Sequence, residues 1–141
     1  MSDYNELVKD RIFIGGADDV QDAMKEKDID VVIDLRSETN KSNNDSKHHT
    51  VHQPILDDAE NQDESVKKAI NSVTKAYNEG KNVFFHCSAG RNRTGTVAIG
   101  TLLELNLAKD LEEAEEKTKS IRSKIEIKPE MKESIKNLYD K

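Results

Sequence analysis

The stretch HCSAGRNRTG (residues 86–95) contains the only cysteine of the chain. It follows NVFFH (residues 82–86), the most hydrophobic of the predicted strands. It runs into TGTVAIGTLLEL (residues 94–105), which is apolar nearly all round and predicts a buried helix. Open α/β folds bind their ligands at the carboxyl ends of their strands. The stretch therefore predicts both the fold class and the place of a ligand site.

The rest of the chain alternates strands with helices. Short apolar runs predict further strands in RIFIGG (residues 11–16), DVVIDL (residues 30–35) and VHQPIL (residues 51–56), where Pro54 marks an edge or an end. Apolar residues at helical spacing predict helices over residues 17–27 and 64–79, the second of which stops at Gly80, and the apolar run predicts one over residues 94–105. Asp110, a cap with Glu113 at the capping-box position, predicts a helix over residues 110–124, and Pro129 predicts the start of a last helix over residues 129–139. A polar segment, residues 36–49, predicts an exposed loop. We expect one α/β domain, residues 1–141, with a central, mainly parallel sheet of four or five strands flanked by helices.

The composition narrows the possible functions. The net charge is −6, so the surface as a whole repels polyanions, and we expect no binding of nucleic acid or membranes. The N-terminal residues MSDYNELVKDR lack the apolar core of a secretion signal, and no apolar run is long enough to cross a bilayer. A single cysteine cannot build a disulfide framework, which indicates a cytoplasmic location. We also expect a monomer.

The loop of residues 88–93 has the features of a phosphate-binding site. Gly90 and Gly95 let the backbone curl tightly, so that successive N–H groups can point inward as an anion-binding nest. The helix that begins near Arg93 adds the positive potential of its N-terminus. The guanidinium of Arg93 can return across the loop and bind two phosphate oxygens. The candidate phosphate-binding residues are Ser88, Ala89, Gly90, Arg91, Asn92 and Arg93.

Cys87 lies at the start of this loop and is the candidate nucleophile. The positive potential favours its thiolate form at neutral pH, and attack on phosphorus would form a phosphocysteine intermediate. The hydroxyl group of Thr94 is close enough to hydrogen-bond the sulfur, which would make it a better leaving group. His86 is expected to support the loop from below.

Such chemistry also needs an acid for the leaving oxygen and later a base for water. The segment PILDDAEN (residues 54–61) lies at the end of a predicted strand that could neighbour NVFFH. It offers three carboxylates: Asp57, Asp58 and Glu60. Spacing alone does not choose among them.

Three histidines lie close together in HHTVH, namely His48, His49 and His52. No cysteine or paired acidic motif accompanies them, and Cys87 is needed in the loop. We therefore interpret them as loop and strand residues, and the sequence predicts no metal site and no cofactor.

The stretch at residues 86–95 resembles the HCxxGxxR[ST] loop of the cysteine-dependent protein tyrosine phosphatases, especially their small dual-specificity branch. RIFIGGADDVQD (residues 11–22) looks like the first strand and turn of that branch, and VVIDLR (residues 31–36) looks like its next core strand. IRSKIEIKPEMKESIKNLY (residues 121–139) is similar to its C-terminal arginine, proline and helix pattern. The resemblance covers residues 11–139, of which only the loop is highly specific.

The resemblance implies a phosphatase fold and hydrolysis of phosphomonoesters without a metal. Cys87 would be the nucleophile, and Arg93 with the loop amides would bind the phosphate. The general acid of the family follows a Pro-hydrophobic-x-Asp pattern, which Pro54-Ile55-Leu56-Asp57 matches. The resemblance therefore assigns the role of general acid to Asp57, with Asp58 as the alternative.

The expected partner is a phosphorylated protein or peptide. Residues 36–49 contain no aromatic side chain that could clamp a phenyl ring in a deep pocket. We therefore expect a shallow mouth that accepts phosphotyrosine and also phosphoserine and phosphothreonine.

Other functions stay open. One is a phosphopeptide-binding module with little turnover. Another is a phosphatase for a non-protein phosphate, such as a lipid, an inositol or an RNA 5′-phosphate. The acidic surface disfavours an RNA 5′-phosphate as the substrate. Ser88 and Arg91 disfavour a lipid, because they do not reproduce the paired lysines of the lipid phosphatase loop. An arsenate-reductase or rhodanese-like fold shares the Cys-to-Arg spacing, but the chain has no second cysteine for a thiol relay.

Overall fold

The computed structural model describes residues 4–37, 49–55 and 62–139. Within them the strands are β1 (Asn5–Val8), β2 (Ile12–Gly16), β3 (Val31–Asp34), β4 (His49–His52) and β5 (Val83–Cys87). The α-helices are α1 (Val20–Glu26), α2 (Gln62–Asn78), α3 (Asn92–Glu104), α4 (Leu111–Ile121) and α5 (Pro129–Tyr139). A short 3-10 turn, Ala17–Asp19, leads into α1.

The strands form one sheet in the order β1-β2-β5-β3-β4. Strands β2, β5, β3 and β4 run parallel, and β1 pairs antiparallel with β2. The mainly parallel sheet of four or five strands flanked by helices is therefore confirmed. In the register, Gly16 of β2 pairs with Cys87 of β5, and Asp34 of β3 pairs with His86. The carboxyl ends of three neighbouring strands thus meet around Cys87.

Apolar side chains on both faces of the central strands explain why helices cover both faces. On one face, Ile14 and Phe85 belong to the larger core cluster, which includes side chains of α2, α3 and α5. On the other face, Phe13 and Phe84 pack with Ala23 of α1. Helix α3 is buried at every residue from 94 to 102 and lies between α2, α4 and α5. No helix of the described residues is long and apolar enough to cross a bilayer.

Strand β1 is an element that the sequence patterns do not predict. Of its four residues, NELV, only Leu7 is buried. The strand forms because the chain reverses at Asp10, whose φ is 63°, and aligns Asn5 with Ile14 of β2. Pairing within the sheet, rather than a local pattern, therefore produces this element.

Several element boundaries differ from the predicted ones. Strand β4 spans His49–His52, whereas the prediction places a strand at residues 51–56 with an edge or an end at Pro54. The N–H groups of Gln53 and Ile55 still donate to the carbonyl oxygens of Asp34 and Leu35. Helix α4 ends at Ile121, earlier than predicted. There Arg122 leaves the helical conformation, with φ −136° and ψ 102°, and is almost completely buried.

Local end signals set other helix boundaries as predicted. Asp110 caps α4, because its carboxylate accepts a hydrogen bond from the backbone N–H of Glu113 at 2.9 Å. Gly80, with φ 86°, follows the end of α2. Helix α5 begins at Pro129. The predicted polar loop, residues 36–49, lies mostly outside the described residues.

Candidate functional site

The predicted loop connects the end of β5 with the start of α3. Cys87 is the last residue of β5, and α3 begins at Asn92. Cys87 is 3% exposed and belongs to the larger core cluster, whereas the next two residues, Ser88 and Ala89, are exposed. The thiol is therefore a buried group at the base of an exposed turn.

Close backbone contact with the end of β2 holds the loop from behind. The N–H of Ala17 donates to the carbonyl oxygen of Ser88 at 3.0 Å. Gly90 has a φ of 70°, and a Cβ atom there would lie 2.6 Å from the carbonyl carbon of Gly15. A Cβ atom on Gly16 would lie 2.8 Å from the carbonyl oxygen of Ser88. Glycine is required on both sides because the two backbones leave no room for a methyl group.

Arg122 is a buried cation behind the loop, with 2% of its surface exposed. Its Nε donates to the carbonyl oxygen of Gly90 at 2.8 Å, and its Nη2 donates to that of Ala89 at 3.3 Å. Burial lowers the pKa of this guanidinium, and the nearby carboxylate of Asp19 opposes the shift. The sequence patterns give Arg122 no role at this loop. The signal that points to it is the arginine in the C-terminal part of the family resemblance.

All four carbonyl oxygens of residues 88–91 thus accept hydrogen bonds from outside the loop, since that of Arg91 receives the N–H of Glu126 at 3.4 Å. In a trans peptide, the C=O and the following N–H point in opposite directions. The N–H groups of residues 89–92 are therefore directed away from these donors. That arrangement suits an anion-binding nest.

The hydroxyl group of Thr94 is hydrogen-bonded to the thiol. Thr94 lies in the first turn of α3 and is fully buried, and its Oγ1 donates to the Sγ of Cys87 at 3.0 Å. The same Oγ1 lies 3.4 Å from the carbonyl oxygen of Gly15. Thr94 therefore places a hydrogen-bond donor directly on the sulfur of the candidate nucleophile.

His86 supports the loop from the sheet. It is 3% exposed, and its Nδ1 lies 3.1 Å from the carbonyl oxygen of Cys87. Burial lowers the pKa of His86, and the hydrogen bond at Nδ1 and the charge of Asp34 oppose that shift. The imidazole is therefore neutral at neutral pH and contributes a hydrogen bond rather than a charge.

An ion pair between a buried carboxylate and a partly exposed guanidinium lies at the carboxyl end of β3. Arg36 donates from Nε and Nη2 to the two carboxylate oxygens of Asp34, at 2.9 Å each. Burial alone would raise the pKa of Asp34, but the hydrogen bonds from Arg36 outweigh it and lower that pKa. The carboxylate stays ionised, and the guanidinium of Arg36 is held at the carboxyl end of β3.

The remaining predicted residues, 91 to 93, form the end of the loop and the start of α3. Arg93 is half-buried in the first turn of α3, and Arg91 is exposed at the residue before that helix. The side-chain oxygen of Asn92 accepts the N–H of Lys128 at 2.8 Å. The structure thus brings all predicted site residues from 86 to 94 to one strand end. The candidate acids lie outside the described residues: Asp57, Asp58 and Glu60.

No group of three His, Cys, Asp or Glu side chains that could hold a metal ion occurs among residues 4–37, 49–55 and 62–139. His48 and the side chain of His49 lie outside the described residues. The Nε2 of His52 lies 2.5 Å from the carbonyl oxygen of Arg36, so that imidazole is engaged with the backbone.

The fold is similar to those of several solved phosphatases. A mouse putative dual specificity phosphatase complexed with zinc tungstate gives a TM-score of 0.83 at 17% identity, over 99% of this chain and 88% of that chain. PTPMT1 in complex with PI(5)P gives 0.80 at 21% identity, over 99% and 96%. Human DUSP28 gives 0.80 at 15% identity, over 99% and 95%. At these identities, the likeness shows the fold alone.

No curated protein matches the chain. The family model described as dual specificity phosphatase, catalytic domain, matches residues 12–141. That match includes the whole loop and the buried arginine behind it. Because it spans nearly the entire chain and agrees with the resemblance seen at residues 86–95, the chain belongs to the dual specificity phosphatase catalytic-domain family, whose members are cysteine-based phosphatases.

Proposed function

We propose that the chain hydrolyses phosphomonoesters on proteins, both on tyrosine and on serine or threonine, through a phosphocysteine intermediate. The position of the Cys87 sulfur carries this proposal. It lies at the base of a loop whose carbonyl groups are held outward, and 3.0 Å from the hydroxyl of Thr94. The N–H groups of residues 89–92 are directed away from those carbonyl groups. They complement the oxygens of a phosphoryl group, which gain negative charge in the transition state.

In the first step, the Cys87 thiolate attacks phosphorus, and the bond between phosphorus and the leaving oxygen breaks. The carboxyl group of Asp57, which the resemblance selects ahead of Asp58, gives its proton to that oxygen. Arg93 and the N–H groups of residues 89–92 bind the phosphoryl oxygens. Because these donors are held in place before the reaction, they need little reorganisation.

In the second step, water attacks phosphorus, the bond between sulfur and phosphorus breaks, and inorganic phosphate leaves. The proton of the water passes to the carboxylate of Asp57. The hydroxyl of Thr94 donates to the departing sulfur and stabilises the thiolate that re-forms. Side chains and backbone thus provide the nucleophile, the acid and the charge stabilisation, so we propose a reaction that uses no metal.

Membrane phosphoinositides are a second candidate substrate. The observation that favours them is the fold shared with PTPMT1 in complex with PI(5)P, over 99% of this chain. Two loop positions favour the protein substrate instead. Ser88 and Arg91 are not the paired lysines that lipid phosphatases carry in this loop. We therefore place phosphoproteins first.

A turnover assay with p-nitrophenyl phosphate in the presence of EDTA tests the reaction. We expect the wild-type chain to release phosphate and the Cys87→Ser variant to fall to the uncatalysed background, because serine cannot supply the thiolate. Activity that persists in Cys87→Ser would remove the nucleophile from the proposal. A wild-type chain that binds a phosphopeptide but releases no phosphate from it would instead be a binding module.

Substrate class requires a separate comparison. Phosphate release is measured from phosphotyrosine and phosphothreonine peptides and from PI(5)P in mixed vesicles, each at equal concentration of phosphate ester. We expect higher kcat/KM on both peptides. A higher kcat/KM on PI(5)P would assign the chain to lipid substrates.

A further inference from the structure

Asn5 on β1 is hydrogen-bonded to the arginine that holds the loop. Its Oδ1 accepts a hydrogen bond from the Nη1 of Arg122 at 3.0 Å, across 117 positions of sequence. Asn5 lies outside residues 12–141, the part of the chain that the family model matches. The contact therefore comes from the N-terminal strand of this chain.

The three nitrogen atoms of the Arg122 guanidinium connect the loop with strand β1. Nε and Nη2 donate to the carbonyl oxygens of Gly90 and Ala89, and Nη1 donates to Asn5. Because the guanidinium is planar and rigid, the direction of one N–H bond sets the directions of the others. An acceptor on Nη1 therefore helps to orient the two donors that hold the loop carbonyls outward.

Strand pairing and aromatic packing fix the position of Asn5. It aligns with Ile14 in the antiparallel pair of β1 and β2. The preceding residue, Tyr4, packs edge-on against Phe13 and Phe84, with ring centroids 6.3 and 6.1 Å apart. The Asn5 side chain thus projects from a strand that both hydrogen bonds and aromatic packing hold in place, and a fixed acceptor is what orientation of the guanidinium requires.

We propose that Asn5 is a positioning residue for the loop of residues 88–93, acting through Arg122. The inference rests on the proposed function, because it assigns Asn5 an effect on phosphate bound in that loop. Without the Asn5 acceptor, the guanidinium turns away from its present direction and holds the carbonyl oxygens of Ala89 and Gly90 less well. The inward N–H groups are then less ordered, so phosphate binding and transition-state stabilisation weaken together.

The test compares three variants. Asn5→Leu removes the acceptor at similar size, and Asn5→Asp keeps an oxygen acceptor for Nη1. Glu6→Leu is the matched control, because Glu6 is the next residue of β1 and its carboxylate accepts the N–H of Asp10 at 2.9 Å, away from the loop. At a temperature where circular dichroism shows every variant folded, we expect kcat/KM for p-nitrophenyl phosphate to fall about tenfold in Asn5→Leu. Asn5→Asp and Glu6→Leu are expected to stay within about threefold of the wild type.

A second readout does not depend on turnover. Inorganic phosphate bound in the loop protects Cys87 from alkylation by iodoacetamide, and the concentration that gives half-protection measures its affinity. We expect this concentration to rise about tenfold in Asn5→Leu and to stay near the wild-type value in the other two variants. A wild-type chain without turnover would count against the proposed function alone, since protection still reports the effect of Asn5.

Two results would overturn the inference. In the first, folded Asn5→Leu matches Glu6→Leu in both kcat/KM and half-protection. In the second, Asn5→Asp is as impaired as Asn5→Leu, which would mean that the acceptor oxygen is not what matters. Should Asn5→Leu not fold, the smaller Asn5→Ala variant takes its place, with the same expected result and the same controls.

Discussion

Arg122 illustrates how one side chain can set the geometry of a loop that it does not belong to. Its planar fork reaches two successive carbonyl oxygens, those of Ala89 and Gly90. A hydrogen bond from a charged donor contributes about 1.5–3 kcal/mol, which opposes the cost of burying the charge. The ammonium group of a lysine is a compact point charge and does not match this pair of acceptors. The guanidinium of Arg122 therefore binds the backbone of the loop and is not a surface charge.

The hydroxyl of Thr94 acts on the reacting atom itself, 3.0 Å from the sulfur of Cys87. We expect Thr94→Val to lower kcat about tenfold, because the thiolate leaves the phosphocysteine without its donor. Thr94→Ser, which keeps the hydroxyl, is the control. In rapid-mixing experiments with p-nitrophenyl phosphate, Thr94→Val should show a burst of one equivalent of nitrophenol. Equal kcat for the valine and serine variants would contradict this role.

At the scale of elements, the loop is held because the end of β2 and the C-terminal side of α4 lie directly behind it. Strand β2 brings Gly15, Gly16 and the N–H of Ala17 against the loop backbone. Where α4 ends, Arg122 and then the N–H of Glu126 reach the remaining carbonyls. The loop thus takes its shape from the elements packed against it as well as from its own glycines.

Substitution of Gly16 by alanine tests the contact between β2 and the loop. A Cβ atom there would lie 2.8 Å from the carbonyl oxygen of Ser88, a backbone atom, so the loop must move. We expect a loss of about 1–3 kcal/mol in stability and weaker protection of Cys87 by inorganic phosphate. Gly80→Ala is the control, because it is strained at φ 86° but meets no neighbouring atom. Phosphate protection that falls equally in both variants would mean that the contact is only structural.

For the molecule as a whole, buried and partly buried ionisable groups make the free energy of unfolding depend on pH. Burial lowers the pKa of His86 below its ordinary 6.5, so the unfolded chain binds a proton more readily there. This contribution is complete above pH 6.5 and is lost as the pH falls below it. Asp34, whose pKa the hydrogen bonds from Arg36 lower despite burial, adds a loss below pH 3.8. Burial and a hydrogen bond to Glu26 raise the pKa of Tyr4 from 10.0 to about 12, so its contribution is lost as the pH rises above 10.

We therefore expect the urea midpoint of unfolding to be highest between pH 7 and 10, to fall toward pH 5, and to fall again above pH 10. Unfolding is followed by circular dichroism in a series of buffers of equal ionic strength. Tyr4→Phe should reduce the alkaline fall and leave the acidic one. Part of the alkaline fall should remain, because burial and a hydrogen bond to Glu104 also raise the pKa of Tyr139. A midpoint that stays constant from pH 8 to 5 would contradict the role assigned to His86.

Local sequence patterns predict much of the fold. The elements that they do not predict correctly depend on contacts between residues far apart in the chain. The apolar runs and glycines predict β2, β3 and β5. Apolar runs and helical spacing predict α1, α2 and α3, and the start signals Asp110 and Pro129 predict α4 and α5. Strand β1 escapes prediction because it has one buried residue, Leu7, and exists through its pairing with β2. The predicted end of α4 is too late, because Arg122 leaves the helix and donates to the carbonyl oxygen of Gly90, 32 positions earlier in the chain.

Local patterns in the sequence are sufficient to predict the fold class, and they also predict the candidate site residues at 86–94, because strand and helix periods and the glycine-bearing turn are properties of neighbouring residues. The groups that hold that turn come from distant parts of the chain. Arg122 and Ala17 donate to its carbonyl oxygens, and Asn5 meets Arg122 from the far end of the chain. These contacts depend on how the strands and helices pack, and no pattern among adjacent residues encodes that packing.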